Sequence, residues 1–188
     1  MNAPSRPPLI LTDAQFEDMA RKGAFAKVGR VELRRGMIEV MSPVYLNHSL
    51  ILSRLFLVVA TEVAAKLPGL VATTELSVKF GGGFQPVSDI VIWDETALQG
   101  ALDGPLPGGA ARLVIEVLES TLADDLGEKM QDYARAGLPE YWVVDVKGRI
   151  VFLHTKPDQD GYKERNVVRF GEALQSLTLP LELDTRSL

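Results

Sequence analysis

A mixed α/β (α+β) sheet with helices packed on it, in one domain, is the fold class this sequence predicts, and three observations carry it. Strand-like segments outnumber helical ones, and the substantial helices stand between strands with no repeating βαβ rhythm. Arg112–Leu118 is almost wholly branched aliphatic, the pattern of a strand buried on both faces. The chain has 188 residues, 46% hydrophobic and 24% charged. That is the size and balance of one globular domain, which buries roughly two thirds of its unfolded surface and needs no staple.

Each element has its own signal. Residues 1–11, with three prolines and no long apolar stretch, read as a flexible N-terminal arm before a domain over 12–188. Thr12 followed by Gln15 is a capping box, and Phe16, Met19 and Ala20 continue it into a short helix ending near Gly23. Alternating runs on either side of Arg34-Arg35-Gly36 predict a hairpin within Val28–Val40, which Ser42-Pro43 stops. Leu46, Leu50, Ile51, Leu55, Val58, Val59 and Val63 recur at helical spacing, so residues 45–66 form the longest helix. Strands are expected over Val71–Phe80 and Val87–Trp93, joined by Gly81-Gly82-Gly83. With no helix and no Gly-Lys-Ser/Thr following, those glycines read as a turn, not a phosphate loop. Asp94–Ala110, with four glycines and two prolines, reads as a loop. After the buried strand, a helix is expected from Thr121 to Gly137, then a hairpin of Tyr141–Val146 and Arg149–His154, then a strand over Tyr162–Phe170.

Composition excludes several chemistries. There is no Cys, and His48 and His154 are the only histidines, so thiolate chemistry, cysteine zinc sites and H-E-x-x-H are ruled out. The longest apolar run, Leu55–Ala60, is far short of the roughly 20 residues a membrane span requires. The expectation is therefore a soluble, cytoplasmic protein with no membrane partner. The net charge of −5 is uneven: eight basic and five acidic side chains over residues 1–54 leave that part at +3. Arg21–Arg35 holds six bases and one acid, read either as a solvated surface or as a phosphate-contacting patch.

Three charged residues stand in apolar settings. Glu116 interrupts Leu113–Leu118, where an ionised carboxylate is costly unless it is paired, binds a metal, or reaches solvent at the strand end. Asp89 stands at the leading end of Ile90–Trp93, as a strand-boundary turn residue or as a second carboxylate of a hard-oxygen site for Mg²⁺ or Mn²⁺. Lys129 falls on the helical stripe of Leu122, Leu126, Tyr133 and Ala136, with Glu128, Asp132 and Arg135 expected outside. Its ammonium either snorkels to water or meets a buried anion, Glu116 being the nearest candidate. Two acids and a lysine in this arrangement suit metal-dependent phosphodiester hydrolysis. A paired-carboxylate glycosidase would leave the lysine without a role.

The sequence also resembles the Uma-type restriction endonuclease family of the PD-(D/E)XK nuclease superfamily, over about residues 10–180. The likeness is carried by Val31-Glu32-Leu33 with Gly36, Met41-Ser42-Pro43, His48, Ser88-Asp89-Ile90-Val91 and Leu113–Leu118, and most specifically by Lys129, Tyr133, Gly137 and Glu140–Asp145. The resemblance implies a restriction-endonuclease-like fold and a Mg²⁺- or Mn²⁺-dependent endonuclease acting on DNA. Catalytic acids and metal ligands would be Asp89 and Glu116. The lysine comes from the helix at Lys129, not two residues after the acid, where this chain has Leu118. Glu32, His48 and Tyr133 would stand behind them. Two departures from the pattern are Ser88 before the first acid and Glu119 with Thr121-Leu122 after the second. The competing expectation is a non-catalytic nucleic-acid-binding or interaction module on the same fold. The acidic net charge implies weak, salt-sensitive binding to DNA unless a homodimer or another partner supplies basic surface.

Overall fold

The structure is a computed structural model that describes residues 8–100, 103–118 and 126–186. Helix α1 (Asp13–Arg21) begins at the expected capping box, Thr12 and Gln15 exchanging both bonds. Strands β1 (Val31–Arg34) and β2 (Met37–Val40) form the expected hairpin. Its two turn residues, Arg35 and Gly36, both take positive φ (52° and 73°), as a tight two-residue hairpin turn requires. Leu33 bridges to Gln85 and tethers the hairpin to the main sheet. Leu11, Phe16 and Leu33 form a small core beneath it.

Helix α2 (Leu46–Lys66) is followed by β3 (Leu70–Lys79), β4 (Val87–Asp94), β5 (Leu106–Pro107) and β6 (Ala111–Leu118). Then come α3 (Glu128–Arg135), β7 (Glu140–Asp145), β8 (Ile150–Asp158) and β9 (Gly161–Arg169). A small hairpin, β10 (Ala173–Gln175) with β11 (Glu182–Asp184), closes the fold. The main sheet has seven strands in the order β5-β3-β4-β6-β7-β8-β9. The β6–β7 and β3–β5 pairs are parallel and the rest antiparallel.

Alternation along β6 sorts the two layers of core. Leu113, Ile115 and Val117 join Leu55, Val59 and Val63 of α2 on one face. Val114 and Leu118 lie on the other with Tyr133 of α3, and the same alternation puts Glu116 on that face. Helix α2 is long and apolar enough to cross a membrane by length and composition. Its inner stripe, Leu55, Val59 and Val63, is nevertheless buried against the sheet, each side chain worth about 1.5–3 kcal/mol.

Several expectations need correction. Asp94–Ala110 is not all loop: Leu106–Pro107 pairs as an edge strand, where proline's missing N–H costs no ladder bond. The described part of the third helix starts at Glu128. Residues 119–125, with Glu119, Thr121 and Leu122, lie outside the described residues, as do residues 1–7 of the arm. On α3, Lys129 and Tyr133 face inward as expected, but Asp132, expected outside, is buried and Ala136, expected inside, is exposed. The reason is electrostatic. Arg34 Nε donates to Asp132 Oδ2 at 3.1 Å and Arg35 Nε to its Oδ1 at 3.2 Å, which draws the aspartate under the hairpin.

Candidate active site

The six residues singled out in the sequence converge at one end of the β4–β6 pair. The register pairs Ile90 with Ile115, and one step further sets Asp89 opposite Glu116 on the same face. Asp89 is anchored there because its Oδ2 accepts the Val117 backbone N–H at 2.8 Å. His48, in the first turn of α2, places Nε2 3.6 Å from Asp89 Oδ1. From α3, Lys129 Nζ reaches Glu116 Oε1 at 3.1 Å and Glu32 Oε2 at 3.9 Å. Glu32 Oε2 also accepts the Val87 N–H at 3.2 Å. Of the two fates open to Lys129, the pairing with Glu116 is the one realised. Its side chain is 11% exposed.

Glu116 is held from behind. The Tyr133 hydroxyl donates to Glu116 Oε1 at 2.8 Å and lies 2.8 Å from Ser88 Oγ. A phenol has one proton, so Ser88 is the donor in the second bond. Burial first, and the Glu116 carboxylate next, push the Tyr133 phenol well above its usual range, which keeps that proton in place. Phe80, Phe84 and Tyr141 pack on the Tyr133 ring with centroids 4.7–5.5 Å away. Ser88, a departure from the family pattern before the first acid, is thus fully buried and part of the carboxylate's support. No pattern in the chain marks it, because its partner is 45 residues distant.

Glu32, Asp89, Glu116, His48 and Lys129 line one cavity of about 280 Å³, rimmed by Arg30 and by Met41–Tyr45. A roomier cavity of about 710 Å³, between Arg35, Gly81–Phe84 and Asp132, contains none of those five. Among the described residues no group of three or more His, Asp or Glu is arranged to hold a metal ion. Mg²⁺ needs less: it binds through one or two carboxylates and completes its shell with water and substrate phosphate. Asp89 and Glu116, facing one cavity, are such a hard-oxygen pair, so the residues fit the ion.

One further residue escaped the sequence reading. Glu75, which the β3–β4 register sets opposite Asp89 between the pairs Thr74↔Ile90 and Leu76↔Ser88, has φ +52° in mid-strand. A left-handed non-glycine residue costs about 1–3 kcal/mol. Its carboxylate meets Arg30 Nη1 at 2.6 Å, with the side chains 50% and 42% exposed, and a pair that wet returns about 0–1 kcal/mol. The pair does not offset the strain.

A family model described as "Uma2: Putative restriction endonuclease" matches residues 13–186 of the chain. No curated protein matches it. Among solved structures, a "putative nuclease belonging to DUF820" from Anabaena variabilis ATCC 29413 superposes with a TM-score of 0.69 at 18% identity. The match covers 95% of this chain and 96% of that one. At that identity the likeness is one of fold.

Proposed function

Because the chain belongs to the Uma2 family, described as "Putative restriction endonuclease", we propose that it is a Mg²⁺- or Mn²⁺-dependent endonuclease that hydrolyses phosphodiester bonds in DNA, in the cytoplasm. One observation carries the reading: a nearly buried Glu116 on the central strand meets Lys129 at 3.1 Å and shares a cavity with Asp89 from the neighbouring strand. Asp89 and Glu116 would hold the cation, whose chemistry when bound is to polarise the phosphate and acidify water.

The chain's own residues do the rest. The Val117 N–H fixes Asp89, and Tyr133 fixes Glu116, so both carboxylates are oriented before substrate arrives. Lys129 stands between Glu116 and Glu32, a fixed positive charge beside the position where charge develops on the phosphate. Glu32 and His48 orient Lys129 and Asp89 respectively.

Calorimetric titration with MgCl₂ and MnCl₂, run with plasmid cleavage, tests this. Wild type should bind the ion and nick DNA, and Glu116→Ala should lose both. If wild type binds neither ion at millimolar concentration and leaves the plasmid intact, the enzyme reading is wrong. DNA binding without cleavage or metal uptake would favour a non-catalytic module. With a net charge of −5 one copy is not drawn to a duplex overall, and a homodimer would help only by bringing two basic stretches to one DNA face; sedimentation with and without DNA measures that.

A further inference from the structure

We propose that Arg30 is the phosphate-binding residue at the mouth of the site and that Glu75, from its left-handed turn in β3, holds it in place; this rests on the nuclease reading above. The cavity is short of positive charge. Its lining carries three carboxylates, Glu32, Asp89 and Glu116, against Lys129, Arg30 and the imidazole of His48. Lys129 is engaged with Glu116 and Glu32 and is nearly enclosed. Arg30 is the exposed cation of the set, at 42%. A phosphodiester approaching three acids needs a cation at the entrance, and a guanidinium suits it because its planar fork meets two phosphate oxygens at once.

Two other arginines of the basic stretch are differently employed. Arg34 and Arg35 are tied to Asp132 and Glu128 across the hairpin. Arg30 instead stands just before β1, two residues from Glu32, so the strand that delivers Glu32 also sets its position. Its backbone is fixed by the Met41 N–H, which donates to the Arg30 carbonyl at 2.9 Å. The side chain is fixed at one nitrogen by Glu75 at 2.6 Å. A guanidinium has five N–H donors, so a partner at one nitrogen orients it without exhausting it. Glu75 reaches it from the position opposite Asp89, with more backbone strain than its ion pair returns. Backbone strain of this kind gathers at sites where a side chain must be aimed. Its position beside an acid of the site, with its carboxylate on the arginine of the rim, gives the strain a purpose.

The test uses the full chain and a fluorescein-labelled 20-bp duplex. Anisotropy with Ca²⁺ in place of Mg²⁺ gives affinity against salt, and cleavage with Mg²⁺ gives kcat and KM. Arg30→Met should weaken binding about 10-fold or more. It should flatten the log K against log[salt] slope by about 0.9, the signature of one lost phosphate contact. KM should rise more than kcat falls. Arg30→Lys should restore the slope but not the full affinity, since it keeps the charge and loses the fork. Glu75→Gln should weaken binding and raise KM several-fold while keeping the slope, because Arg30 retains its charge but loses its aim, whereas removing an acid near DNA would by itself strengthen binding. Melting temperatures check that each variant folds. If wild type neither binds nor cleaves the duplex, the nuclease reading falls and this inference with it. If wild type does both while Arg30→Met keeps its slope and KM, the Arg30 assignment falls and the nuclease reading stands; unchanged or tighter binding and KM in Glu75→Gln remove the positioning role.

Discussion

Lys129 sits where three carboxylates would otherwise crowd one cavity, so its removal has two separable effects. Lys129→Met keeps the apolar stem and deletes the charge. Loss of one preorganised stabiliser of transition-state charge lowers turnover about 10²- to 10³-fold, read by plasmid cleavage. Glu116 also loses its cation, and breaking a buried pair by deleting one partner costs about 3 kcal/mol. The variant should therefore melt earlier in EDTA and recover part of the loss in millimolar Mg²⁺. Full turnover in a folded Lys129→Met protein would sink the catalytic assignment. Tyr133→Phe is gentler: it deprives Glu116 of a donor and Ser88 of its acceptor, for a loss of about 1–3 kcal/mol in urea unfolding.

Among the elements, α3 is the one that most needs outside support. It has eight residues, too few to hold its shape alone, and it carries both Lys129 and Tyr133. Arg34 and Arg35 clamp its Asp132 and Glu128 from the β1–β2 hairpin, which itself delivers Glu32. Arg34→Met removes a buried partner of Asp132 and should cost about 2–4 kcal/mol, less than a full pair because Arg35 remains. Activity should fall with it, since hairpin and helix then meet loosely. At the other end, buried Glu140 accepts from Trp142 Nε1, Ser176 Oγ, Thr178 Oγ1 and the N–H groups of Leu177 and Thr178. Glu140→Ala removes their shared acceptor, leaving only the Thr178 N–H with another, Ser176 Oγ at 3.3 Å, and should cost about 3 kcal/mol or more, by denaturant midpoint. The loss would show first as faster hydrogen exchange in residues 173–184, the β10–β11 hairpin.

For the whole molecule, pH dependence includes a contribution from His154, far from the site residues in the chain. Burial, reinforced by Arg165 across the β8–β9 pair, lowers its pKa to about 4, although the Tyr141 carbonyl at 3.3 Å pulls the other way. The folded state thus keeps the ring neutral where the unfolded chain, near 6.5, takes up a proton. Stability from this group is complete above about pH 6.5, declines as pH falls, and levels off below about 4, for a total of about 3 kcal/mol. Urea midpoints at pH 7.5 and 4.5 should therefore differ less in His154→Gln than in wild type.

Local information was enough for most of the elements. The capping box at Thr12, the two-residue turn at Arg35-Gly36 and the aliphatic run around Glu116 are short-range patterns, and each folds as its pattern demands. The charged residues at Glu116 and Lys129 were legible for the same reason, since a charge in an apolar period is conspicuous without knowing its partner. Pairings across long stretches were not. The basic stretch Arg21–Arg35 looked the same in sequence whether it met solvent, phosphate or protein. Only the fold brings Asp132, 98 residues on from Arg34, against Arg34 and Arg35 and turns that face of α3 inward. The partner of Ser88 and the role of Glu75 left no mark because a hydroxyl and an acid in a strand are ordinary until a buried phenol or an arginine stands opposite. Periodicity reports which face of an element is apolar; what an isolated polar group touches is set by sheet order and register, which tertiary packing alone decides.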